Sequence, residues 1–256
     1  METRTYVVTG AASGIGAATA DLLAKDGFRV IRCDVRDADV LADLTAPEGR
    51  EGMVSQVTAA SGGRIDGLIA VAGTGVPSEQ TVRLNFFGTI ATLEGLRPLL
   101  AASDAPRAVA VSSLSAIVAA DDAIVEACLS LDEESAAEAA RGAAKAGRGR
   151  VIYPSSKQAL NRWLRRAALT PEWAGAGIPL NAVAPGVVDT ESARKQFLSD
   201  PATRALVSSA MPQPLGFPGP VEPIASLLAW LSAPDNSFVT AQILYADGGA
   251  EAALNP

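Results

Sequence analysis

The chain contains no histidine. That absence removes Ser-His-Asp and Cys-His catalysis, because both need an imidazole as base. Only two cysteines are present, Cys33 and Cys128. They are too few for a disulfide framework, and with no imidazole beside them no metal site is expected. They read as free buried thiols in a reducing cytosol. No window holds 18 uncharged apolar residues, and Met-Glu-Thr-Arg-Thr enters a strand pattern at once, so neither a membrane span nor a signal peptide is expected. A cytoplasmic protein is expected. Basic residues are outnumbered 21 to 28, a net charge of −7, which disfavours nucleic acid and anionic membrane surfaces as partners. No Pro/Gly/Ser linker or charge block divides the 256 residues, so one domain spanning 1–256 is expected. Acid/base work is left to Tyr, Lys, Asp or Glu.

What is present centres on Thr9-Gly-Ala-Ala-Ser-Gly-Ile-Gly16. The apolar run Tyr6-Val7-Val8 leads into it and a helical pattern from Ala17 to Lys25 follows. A strand that turns through glycines directly into a helix is a phosphate cradle, with helix-start N–H groups facing the anion. Gly10 permits the tight turn, Gly14 admits a pyrophosphate to the backbone around Ser13 and Ile15, and Gly16 lets helix and strand approach. Strand and helix patterns then alternate. Strands are expected at 4–9, 28–33, 67–71, 107–113, 178–184 and 238–245, and helices at 14–26, 47–61, 79–102, 153–175 and 221–233. Nearly continuous apolar strands between helices imply an α/β fold, a parallel sheet covered on both faces. In such sheets ligands bind at the carboxyl ends of the strands.

Strand-end residues therefore carry the candidates. Asp34 stands 18 residues beyond Gly16, where a carboxylate can accept from an adenosine ribose and repel a 2′-phosphate. Arg32 and Arg36 flank it. Asp43-Leu44 can hold the adenine edge, or Asp43 is an ordinary turn residue. Ala72 and Gly73 end another strand, where small residues either let a cofactor lie against the backbone or simply allow close packing. Asn85, among Leu84, Phe86 and Phe87, is either a buried polar plug or the holder of a relay water. Ser112-Ser113 ends a further strand, and Tyr153-Pro-Ser-Ser-Lys157 begins a helix. Tyr and Lys four apart share a helix face, and a nearby ammonium favours the phenolate.

Together these residues identify the chain as resembling a short-chain dehydrogenase/reductase. The resemblance rests on Thr9–Gly16, Asn85-Phe-Phe-Gly88, Ser112-Ser113, Tyr153–Lys157, Pro185-Gly186 and Asp247-Gly-Gly249. It implies a Rossmann-type doubly wound sheet in three α/β/α layers and a catalytic tetrad Asn85, Ser113, Tyr153 and Lys157. It further implies NAD as cofactor and hydride exchange between nicotinamide and a carbonyl or carbinol carbon. In that scheme Tyr153 moves the proton, Ser113 holds the substrate oxygen, Lys157 tunes Tyr153 and grips the nicotinamide ribose, and Asn85 anchors a relay water. Pro185, Gly186, Val188 and Thr190 would lie along the nicotinamide. A non-catalytic dinucleotide-binding regulator is the alternative of another class, disfavoured by the complete Ser/Tyr/Lys set.

Two departures stand out. Val71-Ala72-Gly73-Thr74 replaces the family's Asn-Asn-Ala-Gly, and Ser113 and Tyr153 are 40 positions apart, a far longer interval than usual. The extra stretch, about 119–150, is Ala- and Glu-rich. A helix over 131–146 is expected, opened by a capping box at Ser130-Leu-Asp-Glu133 and stopped at Gly147. It either decorates the surface or covers the Tyr153 helix. The second case blocks the contact through which many relatives dimerise and leaves a homodimer through another face. A similar insertion marks bacterial 3α-hydroxysteroid dehydrogenase/carbonyl reductases, which residues 35–40 and 42–44 also resemble. Segment 187–220 is a candidate substrate lid, or its apolar residues simply pack on the body. Leu114, Ser115, Ile117, Val118, Val187, Phe197, Leu198, Leu206, Val207 and Met211 would surround an apolar ketone or secondary alcohol, steroidal or, as runner-up, an aryl or amino-alcohol-derived ketone. Arg194 and Lys195 are expected to face water.

Overall fold

Seven short strands pair in parallel in the order β3-β2-β1-β4-β5-β6-β7. The computed structural model describes residues 3–255. In chain order β1 is Thr5–Thr9, α1 Gly14–Lys25, β2 Arg29–Asp34, β3 Val40–Leu41, α2 Pro47–Ser61 and β4 Gly67–Ala70. There follow α3 Glu79–Val82, a π-turn Arg83–Gly88, α4 Thr89–Leu100, β5 Arg107–Val111, α5 Asp122–Leu129, α6 Glu133–Lys145 and α7 Ile152–Ala167. The chain ends with β6 Leu180–Pro185, α8 Glu191–Ala193, a second π-turn Arg194–Leu198, α9 Pro201–Ala210, α10 Glu222–Leu231, β7 Ile243–Ala246 and α11 Ala250–Leu254.

Alternation along the strands builds the two outer layers. Tyr6 and Val8 point to a core shared with Ala20 and Leu23 of α1 and Leu228 and Leu231 of α10. Val7 points the other way, to Met53 and Val57 of α2, Leu93 and Leu96 of α4 and Leu164 of α7. The order reverses direction between β1 and β4, which opens a crevice at their carboxyl ends.

Helix boundaries follow local chemistry. Pro47 occupies the first turn of α2, and Gly62, at φ +71°, ends it in the left-handed conformation. The helix expected over 79–102 is interrupted by the π-turn, which inserts a residue into the ladder around Asn85. The strand expected over 238–245 begins only at Ile243, because Ala241 takes φ +58°. The helix expected over 153–175 stops at Ala167. The two-residue β3, unmarked in the sequence reading, adds the outermost strand.

The insertion is a helical pair, not the single helix expected. Asp121 caps α5 by accepting from the Ala123 N–H. The cap of α6 is Asp132, which accepts from the Ser135 N–H, and Ser130 instead closes α5 through the Glu126 carbonyl. Leu131, at φ +58°, turns the chain between them. Ile124, Val125 and Cys128 pack on Ala159 and Leu160 of α7, with Ala136, Ala140 and Ala143 behind. The pair thus covers the outward face of the helix that carries Tyr153. Burial pushes both thiols, Cys33 and Cys128, up to about 12, so they pack as apolar groups. Leu160→Ala should lower stability by about 2–5 kcal/mol in urea unfolding and raise hydrogen exchange in α5. A variant with unchanged stability would mean that the insertion is not part of the core.

Candidate active site

The crevice is a cleft of about 800 Å³. Its floor is the turn after β1. Gly10 has φ +67°, and a Cβ there would stand 2.9 Å from the Ala72 backbone. A Cβ on Gly16 would stand 2.0 Å from the Gly10 carbonyl oxygen. Gly14, at φ +54°, lies beneath the Thr190 methyl group. No acidic side chain occupies the first turn of α1, and Ser13, though at the cap position, makes no side-chain cap. Its N-terminal N–H groups and dipole are therefore directed at the cleft, as an anion site requires. Ser13, Ile15, Ala72 and Gly73 line the same floor.

At one end stand Asp34, Asp43 and Leu44. The Asp34 carboxylate accepts from the Ala12 N–H at 3.0 Å and the Val35 N–H at 2.7 Å, which fixes it beside the glycine turn. Arg32 turns away to Asp21 at 2.6 Å, whereas Arg36 lines the cleft. Asp43 accepts from the Thr45 N–H and hydroxyl, and these bonds hold its carboxyl below the usual range.

At the other end Ser113, Tyr153 and Lys157 converge. The neighbouring Ser112 donates to Asn161 at 2.5 Å, while Ser113 accepts from the Ser115 N–H and lies near enough to the Tyr153 phenol to lower its pKa. Lys157 is buried, with Nζ 5.9 Å from the Tyr153 ring centroid, and donates to the Val111 carbonyl at 2.7 Å. Burial pushes the Tyr153 phenol up, and the nearby Ser113 hydroxyl offsets part of that rise. Burial also brings Lys157 down to about 8. Desolvation thus dominates both groups, in contrast to the ammonium-driven lowering of Tyr153 expected from their spacing alone.

Asn85 does not line the cleft. Its side chain accepts from the Thr74 N–H at 2.8 Å and donates to the Thr74 carbonyl at 2.9 Å and the Ser156 hydroxyl at 3.3 Å. It ties the loop after β4 to the α7 turn that bears Lys157. Leu114, Ser115, Val118, Val187, Phe197, Val207 and Met211 wall the Tyr153 end; Ile117, Leu198 and Leu206 do not line it, and Leu206 is exposed. Pro185, Gly186, Val188 and Thr190 line the side between the two ends. Arg194 and Lys195 face water, bonded to Asp189 and Glu191.

Several contributors were not marked in the sequence. Thr9 accepts from the N–H groups of Val71 and Ala72, which ties the loop after β4 to the end of β1. Gln213 bonds both polar backbone atoms of Val187 and fixes the start of segment 187–220. Arg150 lines the cleft, three positions before Tyr153. Charge three residues from a candidate base was the available signal for it.

Residues 4–125 match the model described as short chain dehydrogenase, and 135–251 match one described as enoyl-(acyl carrier protein) reductase. The chain is 34% identical to the 3-alpha-hydroxysteroid dehydrogenase/carbonyl reductase of Comamonas testosteroni, over 98% of this chain and 97% of that relative. It is 30% identical to a tropinone reductase homolog of Arabidopsis thaliana, over 97% and 93%. Among solved structures, the 3-alpha-hydroxysteroid dehydrogenase from Pseudomonas sp. B-0831 complexed with NADH superposes with a TM-score of 0.89 at 38% identity, over 98% of both chains. A glycine cradle at the switch point of a parallel sheet, facing a serine, a tyrosine and a lysine, is the site of a dinucleotide-dependent oxidoreductase. The chain belongs to the short-chain dehydrogenase/reductase family.

Among the described residues no helix is long and apolar enough to cross a membrane, and no cluster of metal-ligating side chains occurs. The burial of Lys157 has a measurable consequence. Titrating near 8 when folded and 10.5 when unfolded, it leaves the folded state with fewer bound protons across that window. Stability should therefore rise with pH from 8 to 10.5, by at most about 3 kcal/mol. The Tyr153 shift acts oppositely and only above its ordinary value of 10.0. Urea unfolding from pH 7.5 to 10 should show wild type gaining on Lys157→Met. A pH-independent difference would place Lys157 outside the low-dielectric interior.

Proposed function

We propose that the protein is an NAD(H)-dependent oxidoreductase that interconverts bulky, neutral, apolar ketones and their secondary alcohols, with 3α-hydroxysteroids as the first candidate class and aryl ketones as the second. The observation that carries this reading is the Ser113–Tyr153 pair, placed where the anion-binding floor meets an apolar wall of Val118, Val187, Phe197, Val207 and Met211. The relatives named for hydroxysteroid and carbonyl chemistry support the substrate class.

The residues fit the cofactor. Gly10 and Ser13 to Gly16 would cradle the pyrophosphate, Asp34 the adenosine ribose, and Asp43-Leu44 the adenine edge. Ala72, Gly73, Pro185, Gly186, Val188 and Thr190 would flank the nicotinamide half. When bound, the cofactor supplies the two-electron exchange with the carbonyl or carbinol carbon. Tyr153, held above its ordinary value, is a phenol at neutral pH and donates its proton to the ketone oxygen in reduction. In oxidation the phenolate takes the carbinol proton, favoured by the nearby Lys157 charge. Ser113 hydrogen-bonds the substrate oxygen and orients it toward Tyr153. Asn85 acts through Thr74 and Ser156, keeping that geometry in place for the proton relay. With α7 covered by the insertion, the assembly that suits this surface is a homodimer through another face, such as that of α10 and β7, where Trp230 and Tyr245 are partly exposed.

A ketone panel assayed with both cofactors tests the reading. An extra 150 Å² or so of buried apolar area is worth up to about 4 kcal/mol, so bulky ketones should exceed acetone by about 10²- to 10³-fold in kcat/KM. NADH should exceed NADPH by about tenfold or more, because Asp34 opposes a 2′-phosphate. Preference for keto acids or phosphorylated sugars would reject the substrate class, and equal use of NADPH would make Arg36 a phosphate clamp. Tyr153→Phe should lower kcat by about 10²- to 10⁴-fold while NADH fluorescence titration shows near-normal binding. Near-wild-type turnover would remove Tyr153 from the chemistry.

A further inference from the structure

We propose that Arg50 and Glu133 form a positioning pair through which the helical insertion sets the adenosine end of the cofactor site; this rests on the dinucleotide reading above. Arg50, on α2, is almost wholly buried, and a buried guanidinium persists only when its donors are satisfied. Its Nε donates to the Leu44 carbonyl at 2.8 Å, and Nη2 to the carbonyls of Thr45 and Arg83, each at 3.1 Å. Both Nη atoms donate to the Glu133 carboxylate at 2.7 Å, a bidentate pair.

One side chain therefore joins three segments. Leu44 and Thr45 line the cleft. Arg83 opens the π-turn that holds Asn85. Glu133 is the first residue of α6, inside the insertion. Glu133 also accepts from Arg83 at 3.0 Å, so it neutralises two guanidinium groups at the same place. The Asp43–Thr45 loop is internally braced by the Asp43–Thr45 bonds, but its seat on the sheet is fixed from outside. Its backbone is pressed against Gly49, where a Cβ would stand 1.9 Å from the Asp43 carbonyl oxygen, and against Gly88, where one would stand 2.9 Å from that of Leu44. Glycines on two sides make the loop's position sensitive to small shifts; the Ala46 N–H bonds the Asp43 carbonyl, and Arg50 bonds those of Leu44 and Thr45. Glu133 itself does not line the cleft, so its effect on cofactor must pass through Arg50.

The test is direct binding of NADH, ADP-ribose and nicotinamide mononucleotide to wild type and to Glu133→Gln, by fluorescence and calorimetry. Coupling of this kind should weaken NADH and ADP-ribose by the same factor, about 3- to 30-fold, and leave the mononucleotide unchanged. Glu133→Asp, which keeps the charge, should recover part of the loss. Ile65→Ala, at the opposite end of the sheet, controls for general destabilisation. Equal loss in Ile65→Ala, or unchanged ADP-ribose binding in a folded Glu133→Gln, would overturn the proposal alone. Wild type that binds neither NADH nor ADP-ribose would overturn the dinucleotide reading and this proposal with it.

Discussion

Three segments meet at the carboxyl end of β1, and the rest of the site depends on how closely they approach. The Gly10 turn lies against Ala72, α1 begins over the Gly10 carbonyl at Gly16, and Thr190 closes down on Gly14. No side chain fits between the first two pairs, and the Thr190 methyl group covers Gly14, so the chain from β1, the loop after β4 and the start of segment 187–220 share one wall. This contact does two things at once. It aims the N-terminal N–H groups of α1 into the crevice, and it brings the ends of β4 and β6 within reach of whatever lies there. Thr9, bonding the N–H groups of Val71 and Ala72, locks the first of these approaches from inside the sheet.

The reacting end follows from the same sheet. β5 ends at Val111, whose carbonyl accepts from Lys157 across the interface with α7. That bond satisfies a buried ammonium and fixes the height of α7 on the sheet, which sets Tyr153 one turn earlier beside Ser113. Burial opposes charge on both Tyr153 and Lys157, so the resting pair is a neutral phenol beside a weakened ammonium. Asn85 reinforces the register from the other side through Ser156. Phenol, amine and hydroxyl are therefore positioned by backbone carbonyls and strand ends, which move little, and not by the loops above them.

This division explains what could be read without a structure. The glycine spacing, the strand-end Asp34 and Ser113, and the helical interval from Tyr153 to Lys157 are local signals, and the structure brings all of them to one cleft. The nearly continuous apolar strands, such as Tyr6-Val7-Val8, likewise implied a sheet covered on both faces. Features set by tertiary contact were not legible. The π-turn at Asn85 has no composition cue, and Asp132 displaced Ser130 as the cap of α6 because a second helix ended at Ser130. Gln213 matters only because segment 187–220 returns it to Val187, 26 residues away in sequence. The direction of the Tyr153 shift also escaped local reasoning, since spacing reports the ammonium but not the burial that outweighs it.

Chemistry and selectivity consequently reside on different parts of the molecule. Ser113, Tyr153 and Lys157 stand on the sheet and the helix packed against it, where a change of one methylene is felt throughout the core. Phe197, Val207 and Met211 come from a segment whose α9 has no buried residue and whose two ends are pinned by the Val188–Gly219 bridge. Such a segment can alter its apolar lining at little cost to the fold, because its charged residues already face water in local pairs, Arg194 with Asp189 and Lys195 with Glu191. Arg150 and Gln196, both on the cleft wall, are the polar groups best placed to discriminate among substrates of similar apolar area. In the proposed reaction a substrate would then be selected by what segment 187–220 and the mouth offer along its length, while its reacting oxygen would meet the same serine and tyrosine in every case.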